Sequence, residues 1–370
     1  MPAPGAAPVL VTAGGTGGHL FPAEALAAAL AQRGIAVHLA TDQRAVRFGG
    51  AFAEQAIHVV ASATLRARNP VALTRTAGSL GLGFIQAWRL IGRLRPAAVI
   101  GFGGYPTVPP VLAATWRNVP SLIHDANAVI GRANRLLAPR VTAIATTFPE
   151  VFATRPDLAA KTTLTGNPVR AAVVAVAATP YPVAQDGLRL LVFGGSQGAR
   201  IMADIVPSAI RRLDPDLRSR LTVLQQARGE DLGRVREAYA DNAVAAEIAP
   251  FFADLPARMA ASHLVIARSG ASTVAELAAI GRPSILVPLP HAIDQDQFAN
   301  AGVLERAGGA LRIMQDAFTP QRLAAEIESL AGTPQRLAAM AAAARSLGRL
   351  DAADRLADLV LRVAGIVPKQ

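Results

Sequence analysis

The sequence predicts an α/β fold built on two doubly wound parallel sheets, and three observations carry that prediction. Short apolar, β-compatible runs alternate with alanine- and leucine-rich helical segments along most of the chain. The junction PVLVTAGGTGGHLFPA, Pro8 to Ala23, reads as strand, glycine loop and helix start, and LRLLVFGGSQGAR, Leu188 to Arg200, repeats that plan. Two such junctions imply two similar halves, and 370 residues are too many for one comfortable core but suit two.

Composition narrows the class further. Hydrophobic residues make up 52% of the chain and aromatics only 5%, which describes globular domains packed with Ala, Leu and Val. Cysteine is absent, so disulfides and thiolate metal sites are excluded. The first thirty residues lack a basic stretch ahead of the apolar part and carry helix-breaking glycines, which argues against a signal peptide. Pro96 to Trp116 is uncharged, yet Pro106, Pro109 and Pro110 with neighbouring glycines exclude a spanning helix. The net charge of +11 is nearly all arginine, since Lys161 and Lys369 are the only lysines. Nucleic-acid binding would need basic clusters interleaved with stacking aromatics, which are missing, whereas an anionic membrane or a phosphorylated substrate suits the sign of the charge.

In the first half, strands are expected at Val9–Ala13, Ala36–Ala40, Ile57–Val60, Ala97–Gly101, Ser121–His124 and Val141–Ala145, with a helix from Ala23 to Gln32 stopped at Gly34. Glycines around Thr16 let the backbone approach a ligand closely, and the N–H groups of the following helix start favour phosphates or sugar oxygens. From Ser62 to Arg95 the character changes. Leu80, Leu82, Phe84, Ile85 and Trp88 alternate with Arg75, Arg89 and Arg93, and Gly78, Gly81 and Gly83 would each cost a helix up to ~1 kcal/mol. An apolar patch rimmed by arginines suits a membrane interface; a helix packed on the sheet with a solvated basic face is the alternative. The loop FGGYPTVPP and the segment HDAN, His124 to Asn127, then reach the same carboxyl edge, where His19, Tyr105, Thr107, His124, Asp125 and Asn127 should converge. Thr165 to Gly187 reads as the connection between halves, with a first domain over 1–167 and a second over 168–347.

The second half predicts strands at Leu188–Phe193, Leu221–Gln225, His263–Ala267 and Ser284–Val287, with helices at Ala199–Leu213, Asp231–Tyr239, Ser272–Ile280 and Asp294–Ala307. Arg268-Ser-Gly-Ala-Ser-Thr273 makes another anion-accepting helix start, and Glu276 beyond it is placed to accept two ribose hydroxyls or simply to complement the helix dipole. Helices from Pro320, Pro334 and Asp351 close the chain, the last of them, over 348–366, packing back on the first domain.

Three other chemistries compete. A dinucleotide fingerprint fails because G-x-G-x-x-G cannot be registered on GGTGGH, leaving only Asp42 in favour of NAD. Gly194-Gly-Ser-Gln-Gly198 fits the nucleophile elbow of hydrolases, with Asp254 and His263 or His291 as partners of Ser196. Asp214-Pro-Asp216 and Asp294-Gln-Asp296 have a metal-binding form but no third ligand.

Taken together, GGTGGHLFPA, GGYPTVPP, HDAN, TGNPVR, FGGSQGAR, RSGASTVAE and DQDQFANA resemble, in this order and essentially end to end, the MurG family of UDP-N-acetylglucosamine:undecaprenyl-diphosphoryl-muramoyl-pentapeptide N-acetylglucosaminyltransferases. The resemblance implies a GT-B architecture, two Rossmann-like domains facing across a cleft, with neither metal nor cofactor. It implies an inverting transfer of N-acetylglucosamine from UDP-N-acetylglucosamine to the 4-hydroxyl of the muramoyl sugar of lipid I, giving lipid II at the cytoplasmic face of the cell membrane, to whose anionic surface the protein would bind peripherally. Carried over by position, the donor side comprises Thr16, Gly17, Gly18, Asn127, Arg170, Ser196, Gln197, Phe252, Ser269, Gly270, Ala271, Glu276 and Gln297. The acceptor side comprises Gly14, Tyr105 and Thr107, with Thr16, His19 and Asn127 at its edge. His19 and Asp125 are the candidate bases, His19 first because an ordinary imidazole titrates near working pH. Two departures stand out: HDAN replaces the family's usual HEQN, and Asp296 precedes Gln297 where Gln or His is common.

Overall fold

The computed structural model describes residues 7–14, 17–43, 52, 56–63, 70–182, 187–195 and 198–367. The chain divides into two compact units, Met1–Arg170 with Leu350–Gln370, and Ala171–Arg349. Each holds one all-parallel sheet, the layout that buried, β-branched strands joined by helical crossovers produce.

In the first unit the strands are β1 (Val9–Thr12), β2 (Val37–Thr41), β3 (Ile57–Val59), β4 (Ala98–Gly101), β5 (Ser121–Asp125), β6 (Ala143–Thr146) and β7 (Thr162–Leu164), in the order β3-β2-β1-β4-β5-β6-β7. Successive β1 side chains feed opposite faces. Val9 and Val11 join Leu20, Leu26 and Leu30 of the helix Gly17–Gln32, together with Leu356, Leu359 and Val360 of the C-terminal helix Ala352–Val363. Leu10 joins Leu90 and Ile91 of the helix Pro70–Leu94 and Val111 of the helix Val108–Trp116 on the other side.

In the second unit the strands are β8 (Leu188–Phe193), β9 (Leu221–Gln226), β10 (Ala245–Ala249), β11 (Leu264–Ala267), β12 (Ser284–Leu286) and β13 (Ala310–Arg312), ordered β10-β9-β8-β11-β12-β13. Leu190, Val192, Ile266 and Ile285 from its sheet pack with Met202, Val206 and Leu323 from the covering helices.

Several elements depart from the sequence reading. The first helix starts at Gly17 rather than Ala23 and carries Pro22 inside it; the one backbone bond that Pro22 forgoes is offset by burial of Leu20, Pro22 and Ala23. The segment expected to be a glycine- and proline-rich loop tightens into a turn at Tyr105–Thr107 and then becomes the helix Val108–Trp116, with Pro109 and Pro110 in the first turn, where a missing N–H costs nothing. β7, β10 and β13 were not expected: they are short edge-side strands, and Ala245–Ala249 is too rich in alanine to show a strand pattern. The connecting stretch contains the helix Ala171–Ala177.

Candidate functional site

In both sheets the strand order reverses once, between β1 and β4 and between β8 and β11, and the carboxyl ends at such a reversal open the crevice where ligands bind in this kind of fold. In the first unit β1 and β4 are in register Thr12 to Gly101, so the residues after them, Gly14 and Gly103-Gly104, lie side by side. His19, from the first turn of the helix Gly17–Gln32, is wedged there. A Cβ on Gly103 would stand 3.2 Å from its Cε1, and one on Gly14 or Gly104 3.5 Å from its Cδ2. These glycines are therefore the slot that admits the ring. Burial pulls the His19 pKa below the ordinary imidazole value; its Nδ1 has no partner within hydrogen-bond geometry, although the Phe102 backbone is near enough to oppose the shift. Burial thus displaces the ring toward lower pH than the ordinary imidazole expected from the sequence.

Asp125 ends β5 and is buried. Its Oδ1 accepts from the Asn127 N–H at 3.1 Å, and its Oδ2 accepts from the Gly131 N–H and from Asn134 Nδ2, both at 3.0 Å. Asn134 Nδ2 also donates to the His124 carbonyl at 3.0 Å. Both carboxylate oxygens are thereby engaged in closing the loop from 125 to 134, contacts that a general base at this position would have to give up. His124 donates from Nε2 to the Gly166 carbonyl at 3.0 Å, and burial lowers its pKa to about 4. Thr107 is also buried, with its hydroxyl donating to the Gly104 carbonyl at 2.7 Å, so it closes the turn that presents the half-buried Tyr105. Among the described residues Thr12 Oγ1, His124 Nδ1, Asn134 Oδ1, Thr146 Oγ1 and both amide atoms of Asn167 are buried without partners. Such orphans are rare in native proteins, and all but Asn134, which lies in the helix Arg132–Leu137, belong to residues at or just beyond the strands' carboxyl ends. Arg170 closes this unit with its guanidinium 4.6 Å over the Phe21 ring, and it opposes the rise that burial imposes on the Glu24 pKa.

In the second unit the equivalent reversal is flanked by the loop after β8 and by Arg268-Ser-Gly270 after β11. Any side chain at Gly194 would collide with the Ala199 backbone, and Gly195 and Gly198 take φ of +87° and +67°, so all three positions demand glycine. Gly270 caps the helix Ala271–Ile280 in extended conformation, leaving the first N–H groups without intrahelical partners at the positive end of the helix dipole. Glu276 is buried in the second turn of that helix. Ser269 Oγ donates to the Gln297 carbonyl at 2.8 Å, and the Gln297 side-chain oxygen accepts from the Leu289 N–H at 3.0 Å. Asp296 turns its Oδ1 to the Gln297 N–H at 2.8 Å, with burial raising its pKa. Phe252 is buried beneath Arg258, whose guanidinium lies 4.5 Å from the ring centroid.

Sequence reasoning passed over the residues that hold this loop. Arg268 Nη1 donates to the Val287 and Pro288 carbonyls at 3.1 and 3.0 Å, and Nη2 to Gln315 Oε1 at 2.5 Å. Asn300 Nδ2 donates to the Ser269 carbonyl at 3.2 Å. His291, Asp294 and Gln295 adopt φ of +61°, +62° and +53°, a left-handed concentration that non-glycine residues seldom show outside functional loops. Arg268 and Asn300 were in view as parts of RSGASTVAE and DQDQFANA; the strained backbone leaves no mark in composition.

Thr16, Ser196 and Gln197 lie outside the described residues, and so does the side chain of Arg75. Gly17 is buried and Gly18 exposed at the start of the first helix, Asn127 is half-buried, and Ala271 is the first residue of its helix. The helix Pro70–Leu94 is continuous and exposes Leu82 and Ile85, 53% and 49% accessible, while Leu80 is half-buried and Arg89 and Arg93 are exposed. Phe84 meets Trp88 at 5.9 Å and, edge-on at 5.3 Å, Trp116, which is 68% accessible and went unnoticed in the sequence because it ends a different helix.

Topology removes His263 from the hydrolase alternative. His263 precedes β11 and its Nδ1 accepts from the Arg189 N–H at 2.8 Å, at the amino edge of the sheet, opposite the loop that carries Ser196. Asp254 is engaged with Arg258 at 2.6 Å. Asp214 has a structural duty, capping the helix Pro215–Ser219 through the N–H groups of Asp216 and Leu217.

The glycosyltransferase family 28 N-terminal domain matches residues 9–146, and the glycosyltransferase family 28 C-terminal domain matches residues 189–356. The chain is 64% identical over 363 residues, 98% of its length and 97% of the relative's, to the UDP-N-acetylglucosamine--N-acetylmuramyl-(pentapeptide) pyrophosphoryl-undecaprenol N-acetylglucosamine transferase of Rhodopseudomonas palustris (strain BisB18). It is likewise 64% identical over 360 residues to the protein of the same name from Bradyrhizobium sp. (strain ORS 278), covering 97% of this chain and 98% of that one. The crystal structure of Acinetobacter baumannii MurG superposes with a TM-score of 0.78 at 29% identity, over 96% of this chain and 99% of that one, which makes the two parallel α/β units GT-B in type. With a full-length likeness of this strength and the glycine loops and helix starts at both sheet reversals, the chain belongs to the MurG family of N-acetylglucosamine transferases within glycosyltransferase family 28.

Proposed function

We propose that this protein transfers N-acetylglucosamine from UDP-N-acetylglucosamine to the muramoyl 4-hydroxyl of lipid I, producing lipid II and UDP, with inversion at the anomeric carbon. The observation that carries the reading is the 64% identity across 98% of the chain to transferases named for that donor and an undecaprenol-linked acceptor. In the transfer the acceptor oxygen bonds to the anomeric carbon as the bond from that carbon to the diphosphate oxygen breaks. The proton leaves the 4-hydroxyl for His19, and the electron pair departs with UDP. The neutral imidazole of His19, held in its glycine slot, is in the form that accepts a proton. Asp125 acts by holding the loop 125–134 in place and keeps a subordinate claim as base.

On the donor side, the positive end of the helix Ala271–Ile280 offsets the charge that builds on the leaving diphosphate, and Glu276 accepts the ribose hydroxyls. Ser269, Gln297 and Phe252, with Ser196, Gln197 and Arg170, complete the nucleotide-sugar contacts, while Gly14, Tyr105 and Thr107 belong to the acceptor. Among the described residues no helix is long and apolar enough to cross a membrane. The protein instead docks peripherally on an anionic membrane surface through Leu82, Ile85, Phe84, Trp88 and Trp116, rimmed by Arg89, Arg93 and Arg117. Incubation of the full chain with UDP-N-acetylglucosamine and lipid I, or a short-chain analogue, should release UDP in step with a disaccharide product. Absence of product with both substrates present would refute the reading.

A further inference from the structure

A groove of about 650 Å3 runs between β3 and the helix Pro70–Leu94, lined by Ile57, His58, Val59, Val60, Leu90, Gln86, Arg89 and Arg93. It lies on the outer edge of the first sheet, since β3 is terminal and β2 and β1 separate it from the reversal that holds His19. One wall is apolar. The other presents the guanidinium groups of Arg89 and Arg93, both exposed, on one side of the helix a turn apart. His58 is not alone: its Nε2 lies 3.0 Å from Nδ1 of His38 on β2, with the two rings stacked at 5.2 Å and 18° between planes. Two nitrogens at that distance must share a proton, so one ring donates and the other accepts. If His38 donates, neutral His58 carries its remaining proton on Nδ1, and if His58 is doubly protonated it has two N–H groups; in these two states it offers a donor beyond the pair, and only a neutral His58 donating from Nε2 does not.

We infer that this groove binds a phosphate group through Arg89, Arg93 and His58, with His38 setting which nitrogen of His58 carries the proton. Guanidinium groups match phosphate oxygens in fork geometry, and an imidazole hydrogen-bonded to a second ring is oriented before the ligand arrives. The charged groups facing His58 are His38 from β2 and Arg93 from the helix, and together with desolvation they hold its pKa below the ordinary value. An arriving dianion reverses that electrostatic balance and draws a proton onto the pair. The site is separate from the donor and acceptor chemistry, and the phosphate could come from a lipid headgroup or from solution.

The test uses the full chain without vesicles or nucleotide sugar. Calorimetric titration with inorganic phosphate and, separately, with dihexanoyl phosphatidic acid below its micelle concentration, at about pH 8 where the dianions predominate, should show saturable binding with proton uptake, read as a dependence of the binding heat on the buffer's ionisation enthalpy. Arg93→Gln and His58→Gln should each weaken it by about tenfold, the loss of one charge-assisted contact, and His38→Gln should alter the proton uptake. Tighter binding of phosphatidic acid identifies a lipid source through the apolar wall, and equal binding identifies a soluble one. Arg89→Gln provides the same reading should Arg93→Gln melt at a lower temperature than the parent. Failure of both probes to bind, or equal binding by parent and variants, overturns the site.

Discussion

At the scale of residues, the two candidate bases differ in what their surroundings allow. His19 is held neutral by burial, so it stays competent to accept a proton down to a pH below the ordinary imidazole range, at the expense of basicity. His19→Ala should reduce turnover by ~10²–10⁴ while leaving UDP affinity nearly intact, and the acid limb of the pH–rate profile of the parent should lie below pH ~6.5. An acid limb well above that value would contradict the environment described for the ring. Asp125→Asn replaces an acceptor of three N–H donors by a group that brings an N–H of its own, so it should lower stability as well as turnover. If it abolishes turnover in a fully folded protein while His19→Ala stays within a few-fold of the parent, the two roles are exchanged. Glu276→Ala should weaken UDP binding by about tenfold or more, ~1.5–3 kcal/mol for a charged hydrogen-bonding partner, and an unchanged UDP dissociation constant would remove Glu276 from the donor site. His124 has a pKa lowered from 6.5 to about 4, which makes it a stability device. Its contribution is present in full above pH ~6.5, where both folded and unfolded forms are neutral, and is lost as pH falls toward 4 because the unfolded chain binds the proton first. The amount is about 3 kcal/mol. Urea unfolding of His124→Asn should accordingly show a shallower loss of stability between those pH values than the parent does.

Among elements, the helix Pro70–Leu94 gathers most of what the sequence left undecided. Its glycines are not equivalent. Gly81 faces open space, whereas a Cβ on Gly83 would collide with the Ala61 carbonyl, beside the point where the Ala61 N–H donates to Gln86 Oε1 at 2.8 Å. Gly81→Ala should therefore stabilise by up to ~1 kcal/mol through helix propensity. Gly83→Ala should destabilise, because overpacking at ~1–3 kcal/mol exceeds that gain. Opposite signs in thermal unfolding are the expected result, and equal signs would mean that the helix can move away from β3. The same helix supplies both an inner face, with Ala87, Leu90 and Ile91 buried, and an outer one, with Leu82 and Ile85 exposed. The core-helix reading describes its inner side, and the proposed membrane patch would use its outer one. Reversing Arg75, Arg89 and Arg93 to Glu should release the protein from anionic vesicles, each arginine near such a surface contributing ~1 kcal/mol. Retention of vesicle binding by that variant, or insensitivity of the parent to salt, would remove the patch from membrane docking.

For the whole molecule, the informative feature is that the first unit is discontinuous in sequence, taking Leu350–Gln370 from the far end of the chain. Leu356, Leu359, Val360 and Leu361 of the helix Ala352–Val363 are buried in the same core as Val9, Val11 and Leu30, and Arg33 reaches Asp354 and Asp358 at 3.0 and 3.1 Å. Each such side chain left uncovered loses ~1.5–3 kcal/mol of burial, so removal of residues 350–370 withdraws an amount comparable with the entire stability of a domain. The truncated chain should lose the calorimetric transition of the first unit and become protease-sensitive there, while the second unit still binds UDP. Survival of both transitions would show that the helix is dispensable.

How much of this was legible without coordinates follows from the range of the interactions involved. Strand and helix alternation, the glycine loops after β1 and β8 and the helix start at Gly270 are written in local periodicity and in glycine placement, because backbone conformation and side-chain alternation are properties of neighbouring residues. The motifs that placed the chain among its relatives are local in the same sense. The short strands β7, β10 and β13 were not legible, since three to five residues with alanine or polar content acquire strand geometry only from the partner that they pair with. Nor was the direction in which burial displaces the His19 pKa, which depends on Gly14, Gly103 and Gly104 closing on the ring from two loops about ninety residues apart. Desolvation is a sum over everything nearby in space, so an isolated histidine in a sequence reads at its ordinary pKa. The commitment of Asp125 to Gly131 and Asn134, the clamp of Arg268 on the carbonyls after β12 and the left-handed backbone at 291–295 were decided in the same way. The sequence by itself determined which chemical groups arrive at the carboxyl edge of each sheet; only the tertiary structure decided which of them are already spent on holding the loops and which remain for a substrate.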